Sequence, residues 1–283
     1  MTGIPESAVD HPSLDSSTTA GMKDSTSRTI LGRRTILSRR LTNALWLIGV
    51  LAAWEILGRT VGGIVLPPAS QIANAWLRLA SDGSLAEGLG PTSTAFLLGL
   101  PLGLLVGIVS GLALGYWPKL DEFCAPFLNG FLAMPSVGYI PIIIVWLGFG
   151  VEARAAIVFE FVVFVLAVNV LTGVKTVEPA LIEMARSFGL DKPALFRRVI
   201  VPAAFPAISA GIRMSLGRAV KGAINAELLM TFVGLGGMLK YYGGTFQTDY
   251  LWAIVVTLAV IALLLTAAWN RFDTRVNAWR PNA

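Results

Sequence analysis

One cysteine, Cys124, and one histidine, His11, occur in the 283 residues. That scarcity excludes a disulfide framework and a multi-histidine metal site. Charge is scarce as well: Asp, Glu, Lys and Arg make up 14% of the chain, against about a quarter in an ordinary soluble domain. No Gly-x-x-x-x-Gly-Lys-Ser/Thr phosphate loop is present, and the nearest run, Gly234 to Lys240, has the wrong spacing. Neither His-Glu-x-x-His nor a Gly-x-Ser-x-Gly nucleophile elbow occurs. The chain is therefore expected to be no enzyme and to bind no cofactor of its own.

What fills the sequence instead is apolar. Hydrophobic residues make up 55% and the mean hydropathy is +0.70. Crossing a bilayer takes about 20 residues of helix, with backbone polar groups satisfied inside the segment. The expectation is an all-α integral membrane protein with six spans, at about 42–61, 92–116, 123–149, 153–174, 206–232 and 250–269. Residues 1–40 are rich in Ser, Thr, Asp and Arg and read as a disordered tail. Residues 41–272 form the membrane domain and 273–283 a second tail. The segment 62–91 is expected outside the membrane, with a short helix from Ser70 to Leu79.

The net charge of +5 does not point to nucleic acid, because it sits at the ends of apolar spans. With the N-terminus inside, the inner segments hold the N-terminal arginines, Lys119, Lys175, Arg186, Lys192, Arg197, Arg198, Arg271, Arg275 and Arg280. The outer segments hold only Arg59, Arg78, Arg154 and Lys240. This asymmetry predicts six spans with both termini cytoplasmic.

The most charged internal segment runs from Thr176 to Pro206. Pro179 suits a first helical turn, and Leu181, Ile182, Ala185 and Phe188 recur at helical spacing. Gly189 is placed to take the left-handed conformation that ends a helix, with Leu190 folding back. Asp191 then reads as the N-cap of a second short helix with Pro193 in its first turn. Pro202 and Pro206 mark the return to the membrane. The spacing predicts a helix–turn–helix outside the bilayer, within a loop spanning 175–205.

Glu183-Met184-Ala185, Gly189 three residues on, and Val199-Ile200-Val201-Pro202 after nine more resemble the cytoplasmic coupling loop of ABC importer permeases. The family form is Glu-Ala-Ala, three residues, Gly, nine residues, Ile, one residue, Leu-Pro; here Met184, Val199 and Val201 are apolar replacements. The resemblance extends over roughly Leu66 to Arg271 and is closest to the nitrate/sulfonate/taurine/bicarbonate type. Leu66-Pro67-Pro68, Met134-Pro135 to Ile140-Pro141 and Trp146-Leu147-Gly148-Phe149-Gly150 point the same way. The resemblance implies a type I ABC importer permease in the cytoplasmic (inner) membrane of a prokaryote. It implies a homodimer, ABC ATPase subunits that bind the ATP and Mg, and an extracytoplasmic solute-binding protein. It also implies that Glu183 pairs with the ATPase, that Gly189 makes the turn, and that Ala185, Arg186, Asp191 and Pro202 complete the coupling segment.

Ionisable groups inside spans are functional candidates by default. Lys221 lies roughly 22 Å along a helix from Pro206, with Asn225 on the same face. Both are candidates for the translocation path, facing either an anionic solute or Glu160. Glu227 lies on another face, nearer the outer end, and is a path candidate too, as are Glu160, Pro135 and Pro141; Ala226-Glu227 matches a position that recurs in the resembled family. Pro135 and Pro141 each free a backbone carbonyl, which lipid tolerates only under cover of protein or water. The expected solute is a small anion: nitrate, bicarbonate, a sulfonate such as taurine, or an organic carboxylate. A vitamin precursor carried by the same class of permease, an ion-gradient-driven carrier or channel, and a membrane-embedded enzyme are the alternatives.

Overall fold

The structure is a computed structural model that describes residues 42, 45–63, 65–230 and 233–276. The expected N-terminal tail, and the expected C-terminal tail beyond Val276, lie outside the described residues. Regular structure among the described residues is helical throughout. Two units divide at Leu57 and Gly58. The described part of the first is a single apolar helix, α1, which runs over 45–61 and so continues briefly into the second.

The second unit contains α2 (Ala69–Ser81), α3 (Ser84–Tyr116), α4 (Pro118–Ala133), α5 (Ser136–Leu147), α6 (Val151–Lys175), α7 (Pro179–Ser187), α8 (Lys192–Leu195), α9 (Val201–Met230), α10 (Gly234–Gly244) and α11 (Thr248–Val276). Within the described residues, four continuous helices are long and apolar enough to cross a membrane: Ser84–Tyr116, Val151–Lys175, Lys192–Met230 and Thr248–Arg275. A fifth candidate is the pair α4 and α5, bent by 102° at the break between them.

The expected spans 92–116, 123–149, 153–174, 206–232 and 250–269 overlap these candidates, and three differences lie away from the segment before α9. The expected span 123–149 is broken rather than merely kinked. Pro135 caps α5, with Met134 and Pro135 both in extended backbone, while Pro141 is carried inside α5. Proline cannot continue the preceding ladder, and it drives the residue before it out of helical backbone. Second, α3 starts at Ser84, ahead of the expected Thr92. Gly83 takes a left-handed φ of +82°, and the Asp82 carboxylate accepts the Ser84 N–H at 2.9 Å. That bond, together with one from the Ser84 side chain, holds the Asp82 carboxyl below its ordinary pKa. Third, α11 runs on through the expected start of the C-terminal tail at Asp273 as far as Val276.

α6 is the core helix: 67% of its most apolar stretch is buried, against 17% for α11. Its two main neighbours are α3 and α9. The contact with α3 rests on a ladder of glycines. Gly99, Gly103, Gly107, Gly111 and Gly115 stand one helical turn apart on α3 and face Val158, Val162, Leu166, Val170 and Val174 of α6. A β-carbon at Gly103 would come 2.9 Å from the Val162 side chain, and one at Gly111 would come 2.6 Å from that of Val170. Small residues at this spacing let two backbones approach, which is how helices associate where no hydrophobic effect drives them together. The same Leu166, Val170 and Val174 also join Ala204, Ile208 and Ile212 of α9 in one buried cluster.

Candidate coupling segment and translocation face

The segment after α6 folds as its punctuation dictates. α7 opens on Pro179 and closes at Phe188. Gly189 takes a φ of +77°. Its N–H donates to Arg186 O at 2.8 Å, and the Leu190 N–H donates to Ala185 O at 3.3 Å. That pair of bonds is the glycine-based stop expected from Gly189 and Leu190. Asp191 then caps α8, its carboxylate accepting the Ala194 N–H at 3.1 Å.

The second helix does not end where the sequence suggests. From α8 the chain passes through one π turn, Phe196–Ile200, straight into α9. Lys192 to Met230 is one continuous helix, so the loop boundary expected near 205 is not a helix boundary. Pro202 and Pro206 lie inside it. The wider turn ends just before Pro202, whose ring would crowd the carbonyl of Arg198 in an ordinary α-turn. The second arm of the elbow is therefore the end of a candidate membrane span, and a push on it is a push on that span.

One face of the elbow is seated. Ala185 and Leu195 are buried. Val177, Ile182, Phe196 and Ile200 join the cluster formed by α6 and α9. Tyr116, the last residue of α3, meets Phe196 edge-on with ring centroids 4.9 Å apart, and the Lys192 ammonium sits 4.8 Å from its ring centre. Lys175 at the end of α6 forms an ion pair with Asp121 of α4. The other face is open. Glu183 and Arg186 are exposed, as are Met184 at 52% and Phe188 at 79%. Among the described residues no ion pair holds the Glu183 carboxylate, with Arg186 or any other cation. The elbow therefore presents a carboxylate flanked by two large apolar side chains.

The candidate path residues separate into two groups. Pro135, Pro141 and Lys221 are exposed, while Asn225 and Glu160 are half-buried. The Glu160 carboxylate accepts the Tyr139 hydroxyl of α5, and the cation whose charge bears on it is Arg218, not Lys221. Arg218, Lys221 and Asn225 recur at helical spacing on one face of α9. With Arg213 they give that face three exposed cations. Arg213 is partly neutralised by Asp273 at 3.6 Å.

Glu227, expected on the path, is enclosed instead, with 0% exposure. Its Oε2 accepts the Thr92 hydroxyl at 2.9 Å and the Gly236 N–H at 2.8 Å. Arg154 approaches its Oε1 at 3.9 Å. Sequence reasoning missed Thr92, Arg154 and Arg218 as partners, because those pairings join helices far apart in the chain, and missed Tyr139 because its reach to Glu160 depends on how α5 is turned against α6. A cavity of about 430 Å³ opens between the start of α3 and α10, lined among others by Ser84, Glu87, Gly88, Met238, Tyr241 and Tyr242.

The described residues thus form a bundle of apolar helices with a seated elbow and a polar face on one candidate span. Residues 99–278, more than half of the chain, match the family described as "Binding-protein-dependent transport system inner membrane component". The chain belongs to this family and is an ABC transporter permease subunit. It is 28% identical over 251 residues to the taurine transport system permease protein TauC of Escherichia coli (strain K12), covering 86% of this chain and 91% of that one. The putative aliphatic sulfonates transport permease protein SsuC of Bacillus subtilis (strain 168) is 28% identical, covering 82% of this chain and 84% of its own. The riboflavin transport system permease protein RibX of Chloroflexus aurantiacus is 30% identical, covering 81% of this chain and 87% of its own. In fold, the chain is similar to a chain of the MetNI methionine ABC transporter in an inward-facing conformation. The TM-score is 0.60 at 21% identity, covering 68% of this chain and 95% of that one. Subunits of this family are not themselves enzymes, so the membrane-enzyme alternative falls.

Proposed function

We propose that this permease subunit imports a small anion across the cytoplasmic membrane of a prokaryote, driven by ATP hydrolysed in separate ABC ATPase subunits. The observation that carries the reading is the two-faced elbow. Its inner face is seated on the ends of α3, α6 and α9, while Glu183, Met184 and Phe188 are exposed and, among the described residues, no ion pair holds Glu183. A carboxylate offered in this way is suited to a charge-assisted hydrogen bond from a basic residue in an ATPase cleft. Closure of the ATPase pair then shifts α7, and the unbroken helix from Lys192 to Met230 carries the shift toward the middle of the membrane.

Six spans with both termini cytoplasmic complete the topology: α1, α3, the broken pair α4 and α5, α6, the helix Lys192–Met230, and α11. The excess of Arg and Lys on the elbow side supports this orientation. The polar face of α9 supports a homodimer. Arg213, Arg218 and Lys221 are exposed within one chain, and charges on a span need protein or water rather than lipid against them. A second copy facing α9 would enclose a water-filled, cationic path between the two, fed from outside by a solute-binding protein. Cations lining the path favour an anion, in keeping with relatives named for taurine and aliphatic sulfonates. A vitamin precursor is the second reading, favoured by the relative named for riboflavin transport.

The test is uptake into proteoliposomes that hold the permease with its ATPase, with the binding protein outside. Taurine and riboflavin are offered separately as radiolabelled solutes. ATP-dependent taurine uptake that falls at least tenfold in K221A, with ATPase attachment intact, supports the anion path. Riboflavin uptake with no taurine uptake selects the vitamin reading, and uptake without any ATPase refutes both.

A further inference from the structure

The enclosed carboxylate of Glu227 does more than satisfy itself. It sits against the first turn of α10, where unpaired backbone N–H groups and the helix dipole favour negative charge. The Gly236 N–H donates to it directly, and the Leu235 N–H donates at 3.1 Å to Thr92 Oγ1, whose hydroxyl in turn donates to Glu227. The chain of α10 is cut to fit. Gly234 takes a φ of +78°, and a β-carbon there would run into the Glu227 carboxylate. One at Gly236 would come 2.9 Å from Ile224 O. Hydrogen bonds therefore join α9, α3 and α10 through one side chain. Arg154 of α6 is held more loosely: its Nη1 and Glu227 Oε1 are 3.9 Å apart, and neither atom has a hydrogen bond among the described residues.

α10 is short and Gly-rich, and its outer turns wall the cavity of about 430 Å³ that α3 closes from the other side. We propose that Glu227 is a positioning residue, the anchor that holds α10 across the outer ends of α3, α6 and α9, and that the outward-opening step releases α10 from it. This rests on the orientation and the ATP-driven cycle proposed above. In the resting state the carboxylate fixes the first turn of α10 and so fixes the outer wall. When the far end of α9 is driven by the elbow, Glu227 moves with α9 and parts from Gly236 and Thr92. Arg154, already close and not hydrogen-bonded to it, is the cation that keeps the freed carboxylate from standing alone.

Hydrogen exchange read by mass spectrometry on peptides covering residues 233–244 tests the anchor. In the purified permease, E227A is expected to raise exchange in the first turn of α10 by on the order of tenfold or more, the loss of a hydrogen bond to a charged group. T92V is expected to raise it less, and E227Q least, because the amide oxygen still accepts from Gly236. Peptides from α6 should stay unchanged in all three, which a general loss of folding would not allow. In the complex with its ATPase, trapping with ATP and vanadate is expected to raise wild-type exchange in the same peptides toward the E227A level. Unchanged exchange in E227A, or equal protection in the resting and trapped complexes, would overturn the proposal. Failure of any ATPase to attach to the wild-type permease is a different result: it sinks the import reading, and the opening step with it, even where E227A shows the anchor.

Discussion

At the scale of single residues, the coupling segment turns on one backbone angle. Gly189 has a φ of +77° with nothing within 4 Å of where a β-carbon would stand, so a side chain there meets no neighbour and only the backbone objects. That objection is about 1–2 kcal/mol for an ordinary residue in the left-handed region. G189V is therefore expected to leave insertion and expression near normal while tilting α7 off its seat. The check is coupling: ATP hydrolysis by the assembled complex should continue while uptake falls by at least tenfold. Uptake within twofold of wild type would mean that the turn at Gly189 is incidental. The carboxylate at residue 183 and that at residue 227 make an instructive contrast. One is exposed on α7, in the most charged internal segment, and the other, within an apolar span, has no exposure at all. Helical spacing told the face of each. It did not tell that α10 would bring its own N–H groups to Glu227.

Among the helices, the α3–α6 contact is the one most dependent on sequence detail. Five glycines one turn apart leave no room for side chains against the valines and leucine of α6. G111L is expected to force the two helices apart and to lower the thermal midpoint of the detergent-solubilised permease by several degrees, or to prevent recovery of folded protein. G111A should do the same to a smaller degree. Gly130 on α4 has nothing within 4 Å, so G130A, a control in the same protein, should be near neutral. Equal effects at the two positions would contradict the close-contact account.

The pattern at this scale was half legible. Apolar run lengths gave the helices α3, α6, α9 and α11, and the punctuation at Pro179, Gly189 and Asp191 gave the turn between α7 and α8 in detail. The ladder from Gly99 to Gly115 needed the facing helix to acquire meaning. The bend at Met134 and Pro135 was legible as a weak point but not as a 102° break, because proline sets where a ladder stops and neighbours set how far the chain then turns. The continuity from Lys192 to Met230 ran against the signal of Pro202, since a single π turn absorbs the ring that would end an ordinary α-helix.

For the whole molecule, the account is that force enters at one corner and is delivered elsewhere. The elbow is seated by Ala185, Leu195 and Phe196, it is tied to α3 through Tyr116, and it continues without a break into α9. Under the proposed coupling, a subunit outside the chain grips the open face. Among the described residues no cation holds Glu183, so the described fold does not use that carboxylate. Reversal of that charge leaves every seated contact of the elbow intact, which separates docking from folding.

The most direct measurement is therefore co-purification of the ATPase subunit with tagged wild-type permease and with E183K, at equal permease yield and thermal midpoint. The account predicts a stoichiometric complex with the wild type and at least a tenfold loss of bound ATPase with E183K. Equal recovery of ATPase with both, accompanied by unchanged ATP-driven uptake, would contradict it.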